Sequence, residues 1–262
     1  MSDSAPAQGG RTMLRDLRLI DWKSFADAVL PFEPLTVLIG ANGSGKSNAL
    51  DALSFLHRAA MGQELPVALD GDAASPGLRG GQAGAPRSGC STFELHVTVG
   101  TADPAVDYRY EIKVSTQPRA QLVSEALIEL RHPKRGGEPR SKNLFWTDDC
   151  GPQDASIRAR TYNKSRGAPR DLRRGAAILA QLANAELPKV VRDGIDAVAG
   201  VLRGIFVLDP VPARMRNYCR ITDVLEPDGS TVTGVLQAAK HQHGQRLEKR
   251  LAKYLEALPE QQ

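Results

Sequence analysis

Gly40-Ala41-Asn42-Gly43-Ser44-Gly45-Lys46-Ser47 is the stretch whose reading decides the fold of this chain. Glycines alternate with small residues, and the run closes on a lysine and a hydroxyl. Glycine tolerates positive φ and lets a backbone approach a ligand closely. Before the run, Leu35-Thr36-Val37-Leu38-Ile39 is short, apolar and partly β-branched, which predicts a buried strand. After it, residues 48–56 are rich in helix formers and set Leu50, Leu53 and Leu56 on roughly one face. A glycine-rich turn from strand to helix aims several backbone N–H groups at one point, with the positive end of the helix dipole behind it. The spacing is that of a phosphate-binding loop. The expected ligand is a nucleoside triphosphate. Gly43 and Gly45 supply the turn, Lys46 reaches the β- and γ-phosphates, and the Ser47 hydroxyl is a ligand for Mg²⁺.

With 262 residues, 41% hydrophobic and 24% charged, the chain can bury a substantial core as one large or two small domains. No apolar stretch approaches the roughly 20 residues that span a bilayer. Residues 1–12 are small and polar, without the apolar core of a secretion signal, and read as a disordered tail. Cys90, Cys150 and Cys219 are odd in number and far apart, which argues against a disulfide framework or a paired zinc site and for a cytoplasmic location. His241 and His243 flank Gln242 with no further ligand candidates beside them, so they read as a solvated helix face.

The net charge of +4 is unevenly spread. Residues 131–174 hold twelve Lys or Arg against five Asp or Glu, a local surplus of +7, with Trp146 and Tyr162 interleaved. Positive charge with aromatic faces suits phosphate-backbone contact and stacking on bases. Arg158, Arg160 and Arg166 are the candidate nucleic-acid contacts. The competing reading is a solvated region whose arginines pair with carboxylates.

Residues 14–20 alternate and predict an opening strand, paired across a turn with residues 25–32. Ten of the thirty residues from 62 to 91 are Gly or Pro, which predicts an irregular insertion or flexible loop. Strand-like runs follow at 92–99, 108–114 and 122–130, a meander of antiparallel style, with weaker ones at 143–146 and 157–162. The pattern turns helical at 172–182 and 190–202. Gly204-Ile205-Phe206-Val207-Leu208-Asp209-Pro210 predicts another buried strand, and 234–258 a charged helical tail broken at Gly244.

Together these segments resemble the N-terminal half of an ABC-type ATPase head, in the branch shared by RecF, SMC-like proteins and bacterial AAA-family ATPases. The resemblance rests on the hairpin with Trp22-Lys23-Ser24-Phe25 at its bend, on Asn42 and Asn48 bracketing the loop, and on Leu50-Asp51-Ala52-Leu53 after it. It implies an α/β P-loop NTPase fold, a lobe with a mixed sheet, an antiparallel β subdomain and a helical C-terminal part. The implied divisions are 13–61 for the loop, hairpin and first helix, 62–91 for the insertion, 92–170 for the β subdomain, and 171–262 for the helical part with a buried strand at 204–209. It also implies ATP and Mg²⁺ as ligands, bound by Gly40, Asn42, Gly43, Ser44, Gly45, Lys46, Ser47 and Asn48. A glutamine that senses the γ-phosphate belongs to such heads, and Gln63 and Gln82 are the candidates. Asp209 ends an apolar run as a metal-orienting aspartate would, but Pro210 stands where the family has a glutamate that polarises water. Asp228-Gly229-Ser230 is similar to a signature fragment, although a turn with Ser230 or Thr231 capping a helix is the simpler reading. The signature segment, the Asp-Glu strand and the switch histidine are not found, so the expectation is a truncated frame or one part of a split enzyme. Its partner would be a second ATPase head or a complementary C-terminal half.

The implied function is the ATP-binding segment of a RecF/SMC-like ATPase acting in DNA repair or defence against foreign DNA. A non-hydrolysing nucleic-acid-binding or regulatory module that uses ATP as a structural ligand is the alternative. A small-molecule kinase is opposed by the antiparallel strands after the first helix.

Overall fold

The computed structural model describes residues 12–73, 75–133, 136–244, 249 and 252–253. It divides into two compact units, one ending at Ile205 and the other beginning at Phe206. The tail 1–11, Lys134, Arg135 and most of the expected helix beyond Gly244 lie outside the described residues.

The first unit is built on one eight-stranded sheet. Its strands are β1 (Met13–Trp22), β2 (Phe25–Pro31), β3 (Thr92–Gly100), β4 (Val106–Ser115), β5 (Gln121–Arg131), β6 (Arg140–Thr147), β7 (Ser156–Thr161) and β8 (Ala168–Arg173). The order is β2-β1-β3-β4-β5-β6-β7-β8, and every neighbouring pair is antiparallel. The expected mixed sheet is therefore corrected: among the described residues, each ladder joins strands of opposite direction. The meander itself falls where the alternation placed it. Phe93, Leu95, Val97 and Val99 of β3 all point to the buried face, as a two-residue period requires. Helices α1 (Lys46–Ala60) and α4 (Lys189–Arg203) cover that face. Trp22, Phe55 and Phe93 meet there edge-to-face and tilted, with centroids 4.8 to 6.0 Å apart. On α4, Gly194 lets the helix lie directly on Leu144 and Tyr108; a Cβ at that position would stand 2.4 Å from Leu144 Cδ1.

Four further expectations are corrected. The flexible-loop alternative for 62–91 gives way to a packed one: the described residues there are irregular outside α2 (Leu65–Asp70), yet Leu65, Leu69, Leu78 and Ala85 enter the core. Their glycines serve close backbone contacts, as where Gly71 meets Ser75 and Gly77. Residues 172–182 are not one helix. The segment opens within edge strand β8, where Pro169 is tolerated, and only α3 (Ile178–Gln181) is helical. Residues 35–39 form no ladder and are exposed, with Leu35 at 83% and Ile39 at 92% exposure. Residues 205–209 likewise run extended without a strand partner, and Phe206 and Leu208 are exposed. Apolar composition favours burial in a sheet, but a strand needs a neighbour along its length for its N–H and C=O groups. Among the described residues neither run forms a ladder, although in the second the Asp209 amide finds the carbonyl of Pro227.

The second unit contains α5 (Pro212–Met215) and α6 (Val232–His243). Arg214 pairs with Asp228 at 2.7 Å, and the backbone amides of Asp209 and Val211 bond to Pro227 and Asp228. That pairing and the Ser230 amide hold the Asp228 carboxyl down at about 2. Thr231 occupies the N-cap position of α6, yet its hydroxyl turns away from the helix, donating to Val224 O and accepting from Glu226 N.

One buried carboxylate organises the end of the first unit. Glu125 on β5 accepts the amides of Ile178 and Leu179 at 2.6 and 2.7 Å and the Tyr110 hydroxyl at 3.0 Å. It thus satisfies the opening of α3, a helix too short to satisfy its own amides. Burial dominates its titration and raises it to about 7, against the lowering effect of the three donors.

Candidate functional site

The loop 40–47 leads into α1 with the backbone its glycines permit. Gly43 has φ +82° and Gly45 φ +95°, and Gly45 is the N-cap of α1. A side chain at Gly45 is excluded twice over: its Cβ would meet Phe25 at 2.9 Å and Ser24 Oγ at 3.0 Å. Gly40 is equally close to Ser44, where a Cβ would stand 2.6 Å from Oγ. The Lys46 ammonium folds back across the loop, donating to Gly40 O at 2.6 Å, Ala41 O at 2.8 Å and Ser44 Oγ at 3.3 Å. Ser47 is exposed at the first turn of α1. An exposed hydroxyl, a lysine and the unpaired amides of a fifteen-residue helix thus converge on one open loop. These residues fit a triphosphate and Mg²⁺.

Behind the loop stands a ring of polar contacts that the motif alone does not reveal. Trp22 Nε1 donates to Asn48 O at 2.7 Å, and Asn48 Nδ2 donates to Ser24 Oγ at 2.9 Å, so the hairpin bend grips α1 through Asn48. Asn48 therefore faces the bend, and Asn42 is exposed on the loop. Asp51, one turn beyond Ser47, takes Lys23 Nζ at 2.6 Å and a two-pronged contact from Arg79 at 3.0 and 3.2 Å. Arg79 Nη2 also donates to Ser47 O at 2.5 Å. The signal available in sequence was the four-residue step from Ser47 to Asp51, which stacks both on one helix face; the partners Lys23 and Arg79 are remote in sequence.

The other candidates are placed as follows. Gln63 follows the far end of α1, which at about 1.5 Å per residue lies some 20 Å from Ser47, so it does not converge with the loop. Its side-chain oxygen is buried without a partner. Gln82 uses its side-chain oxygen to accept the Ala120 amide, a contact internal to the fold. Asp209 is exposed in the second unit. Arg158 pairs with Asp171 at 3.0 Å, and Arg160 with both oxygens of Asp148 at 2.8 and 2.9 Å. Tyr162 lies under the Lys142 ammonium at 4.5 Å, and Trp146 packs on Gly167. Arg174 is buried and clamps the carbonyls of Leu122, Gly151 and Asp154. Among the described residues of the basic segment, Arg140, Lys164 and Arg166 remain exposed and outside any ion pair. His241 is exposed on α6, and the His243 side chain lies outside the described residues.

A glycine loop capping a helix behind an antiparallel hairpin is consistent with a P-loop ATPase family. Comparison with known families agrees: residues 35–200 match the family described as "AAA domain, putative AbiEii toxin, Type IV TA system", and the chain belongs to that family. Among individual proteins it is similar to the DNA replication and repair protein RecF of Brucella abortus (strain 2308), 35% identical over 94 residues that cover 35% of this chain and 24% of RecF. It is similar to the chromosome partition protein Smc of Mycolicibacterium paratuberculosis, 35% identical over 99 residues, 37% of this chain and 8% of Smc. RecF of Beutenbergia cavernae is 45% identical over 42 residues, 16% of this chain and 11% of that protein. The match thus spans about a quarter or less of the length of these relatives. Among the described residues, no helix is long and apolar enough to cross a membrane.

Proposed function

We propose that this chain is the ATP-binding segment of a RecF/SMC-like ATPase and that the loop 40–47 holds the triphosphate with Mg²⁺. The observation that carries the reading is the loop's backbone: Gly43 and Gly45 at positive φ immediately before α1, with Lys46 arched back to the carbonyls of Gly40 and Ala41. In the bound state the Lys46 ammonium would leave part of that arch for the β- and γ-phosphate oxygens. The amides at the start of α1 would face the same anionic group, and Ser47 would offer its hydroxyl to Mg²⁺. The metal, when bound, neutralises phosphate charge and fixes its geometry.

Hydrolysis in this reading draws on a signature segment and a water-polarising glutamate supplied by a second head or a complementary C-terminal half, with Asp209 as a candidate metal-side carboxylate. Exposed Leu35, Val37 and Ile39 support such a partner, since an added strand would pair their free backbone and cover their side chains. The proposed role is DNA repair or defence against foreign DNA in the cytoplasm, and the likeness to RecF, a DNA replication and repair protein, supports the repair part of it. Nucleic-acid contact would fall to Arg166 and its unpaired neighbours before Arg158 and Arg160, whose guanidinium groups already hold carboxylates.

Lys46→Ala tests the reading through binding of a fluorescent ATP analogue in the presence of Mg²⁺. The expected result is loss of binding with an unchanged melting temperature, because the ammonium's hydrogen bonds all stay within the loop. Affinity equal to the parent protein's would refute the assignment.

A further inference from the structure

Lys23, Asp51 and Arg79 come from three separated segments: the hairpin bend, α1 and the stretch after α2. They close a ring. Lys23 Nζ donates to Asp51 Oδ2 at 2.6 Å and to the Arg79 carbonyl at 2.6 Å, while the Arg79 fork returns to both Asp51 oxygens. The Lys23 and Asp51 side chains are only 7% and 11% exposed, so their charges are held by one another rather than by water. The Arg79 guanidinium is 56% exposed, and the nitrogen nearest the loop bonds to Ser47 O. The ring therefore has a rigid, buried side and an open side, and the open side ends on Ser47.

Two features make this more than a structural staple. The cluster holds two cations and one carboxylate beside the positive end of a helix, where an uncompensated cation is disfavoured and an anion is favoured. In addition, the step from Ser47 to Asp51 is one helical turn, so a single planar fork spans the carboxylate and the carbonyl below it. Only arginine offers that fork.

We propose that Asp51 and Arg79 are positioning residues for metal-assisted triphosphate binding, with Lys23 fixing the ring: Arg79, locked by Asp51, sets the backbone of Ser47 and thereby the place of the hydroxyl that takes Mg²⁺. The inference rests on the phosphate-loop reading. Mg²⁺ demands near-octahedral geometry at about 2.0–2.1 Å, so small shifts of its protein ligand weaken it, whereas backbone amides around a phosphate are more tolerant. Loosening the ring must then act on Mg²⁺-dependent binding in preference to binding of the free nucleotide.

The test is calorimetric titration of the full chain with ATP plus Mg²⁺, and with ATP plus EDTA, for the parent protein, Arg79→Met and Arg79→Lys. Both variants are expected to bind ATP with Mg²⁺ on the order of tenfold more weakly. ATP in EDTA should bind within about twofold of the parent, and melting temperatures should stay close to it. Equal weakening under both conditions, or full recovery by Arg79→Lys, overturns the inference, because it would leave only a folding or a bulk-charge role. Should Arg79→Met fail to fold, Arg79→Lys alone decides, since it keeps the charge and removes the fork. A parent protein that binds ATP under neither condition refutes the phosphate-loop reading itself, which distinguishes the two failures.

Discussion

Replacing Glu125 with glutamine isolates the titration of a fully buried carboxyl. Desolvation raises this group to about 7 in the folded protein, from an ordinary 4.5, even though Ile178 N, Leu179 N and the Tyr110 hydroxyl all donate to it. A raised folded value means that the folded state holds its proton more tightly. The stability associated with the neutral acid is fully present below about pH 4.5 and is lost as pH rises through 7. The difference of roughly 2.5 units, at 1.36 kcal/mol per unit, corresponds to about 3 kcal/mol. Glutamine is neutral at every pH and lacks that loss. Its NH₂ group must face one of two amide donors, which leaves a buried N–H without an acceptor at about 1–3 kcal/mol. Denaturant melts of both proteins at pH 5 and pH 8 give the answer. Glu125→Gln is expected to be the less stable protein at pH 5, with the gap closing or reversing by pH 8. Parallel stability-versus-pH curves would refute the reasoning, because they would place the titration of Glu125 at or below its ordinary value and show that the three donors offset desolvation in full.

Two further outcomes are expected. Gly194→Ala forces a methyl group to within 2.4 Å of Leu144 Cδ1 beside Tyr108 and Leu127, and should destabilise the first unit by about 1–3 kcal/mol in a thermal melt; no shift would mean that α4 lies farther from the sheet. Charge reversal of Arg166 should weaken DNA binding and flatten its salt dependence more than reversal of Arg158 or Arg160, which are bound to Asp171 and Asp148; gel shifts unchanged from the parent protein for all three would remove the basic segment from nucleic-acid contact.

Much of the antiparallel sheet was legible in the chain because its information is local. The alternation of Phe93, Leu95, Val97 and Val99 fixes which face is buried whatever lies opposite, and the helix after Ser47 announces itself by composition. The turn of the glycine loop 40–47 is legible for the same reason: φ above zero at Gly43 and Gly45 is a property of those residues. Residues 62–91 were opaque because glycine and proline mark breaks in regular structure equally well when the backbone is tightly packed and when it is loose. Helical preference at 172–173 was overridden by the ladder that β7 offers to β8, and at 174–177 by a turn and the bridge from Ala176 to Glu64.

What the sequence by itself determined is the glycine loop with the helix after it and the alternation of the meander strands, since each depends on neighbours within a few residues. Only the tertiary structure decided that Leu35, Val37 and Ile39 stand exposed, that Arg158 and Arg160 are tied to carboxylates, and that Lys23, Asp51 and Arg79 meet behind Ser47. Burial and ion pairing are relations between distant segments, and no short window of residues contains both partners.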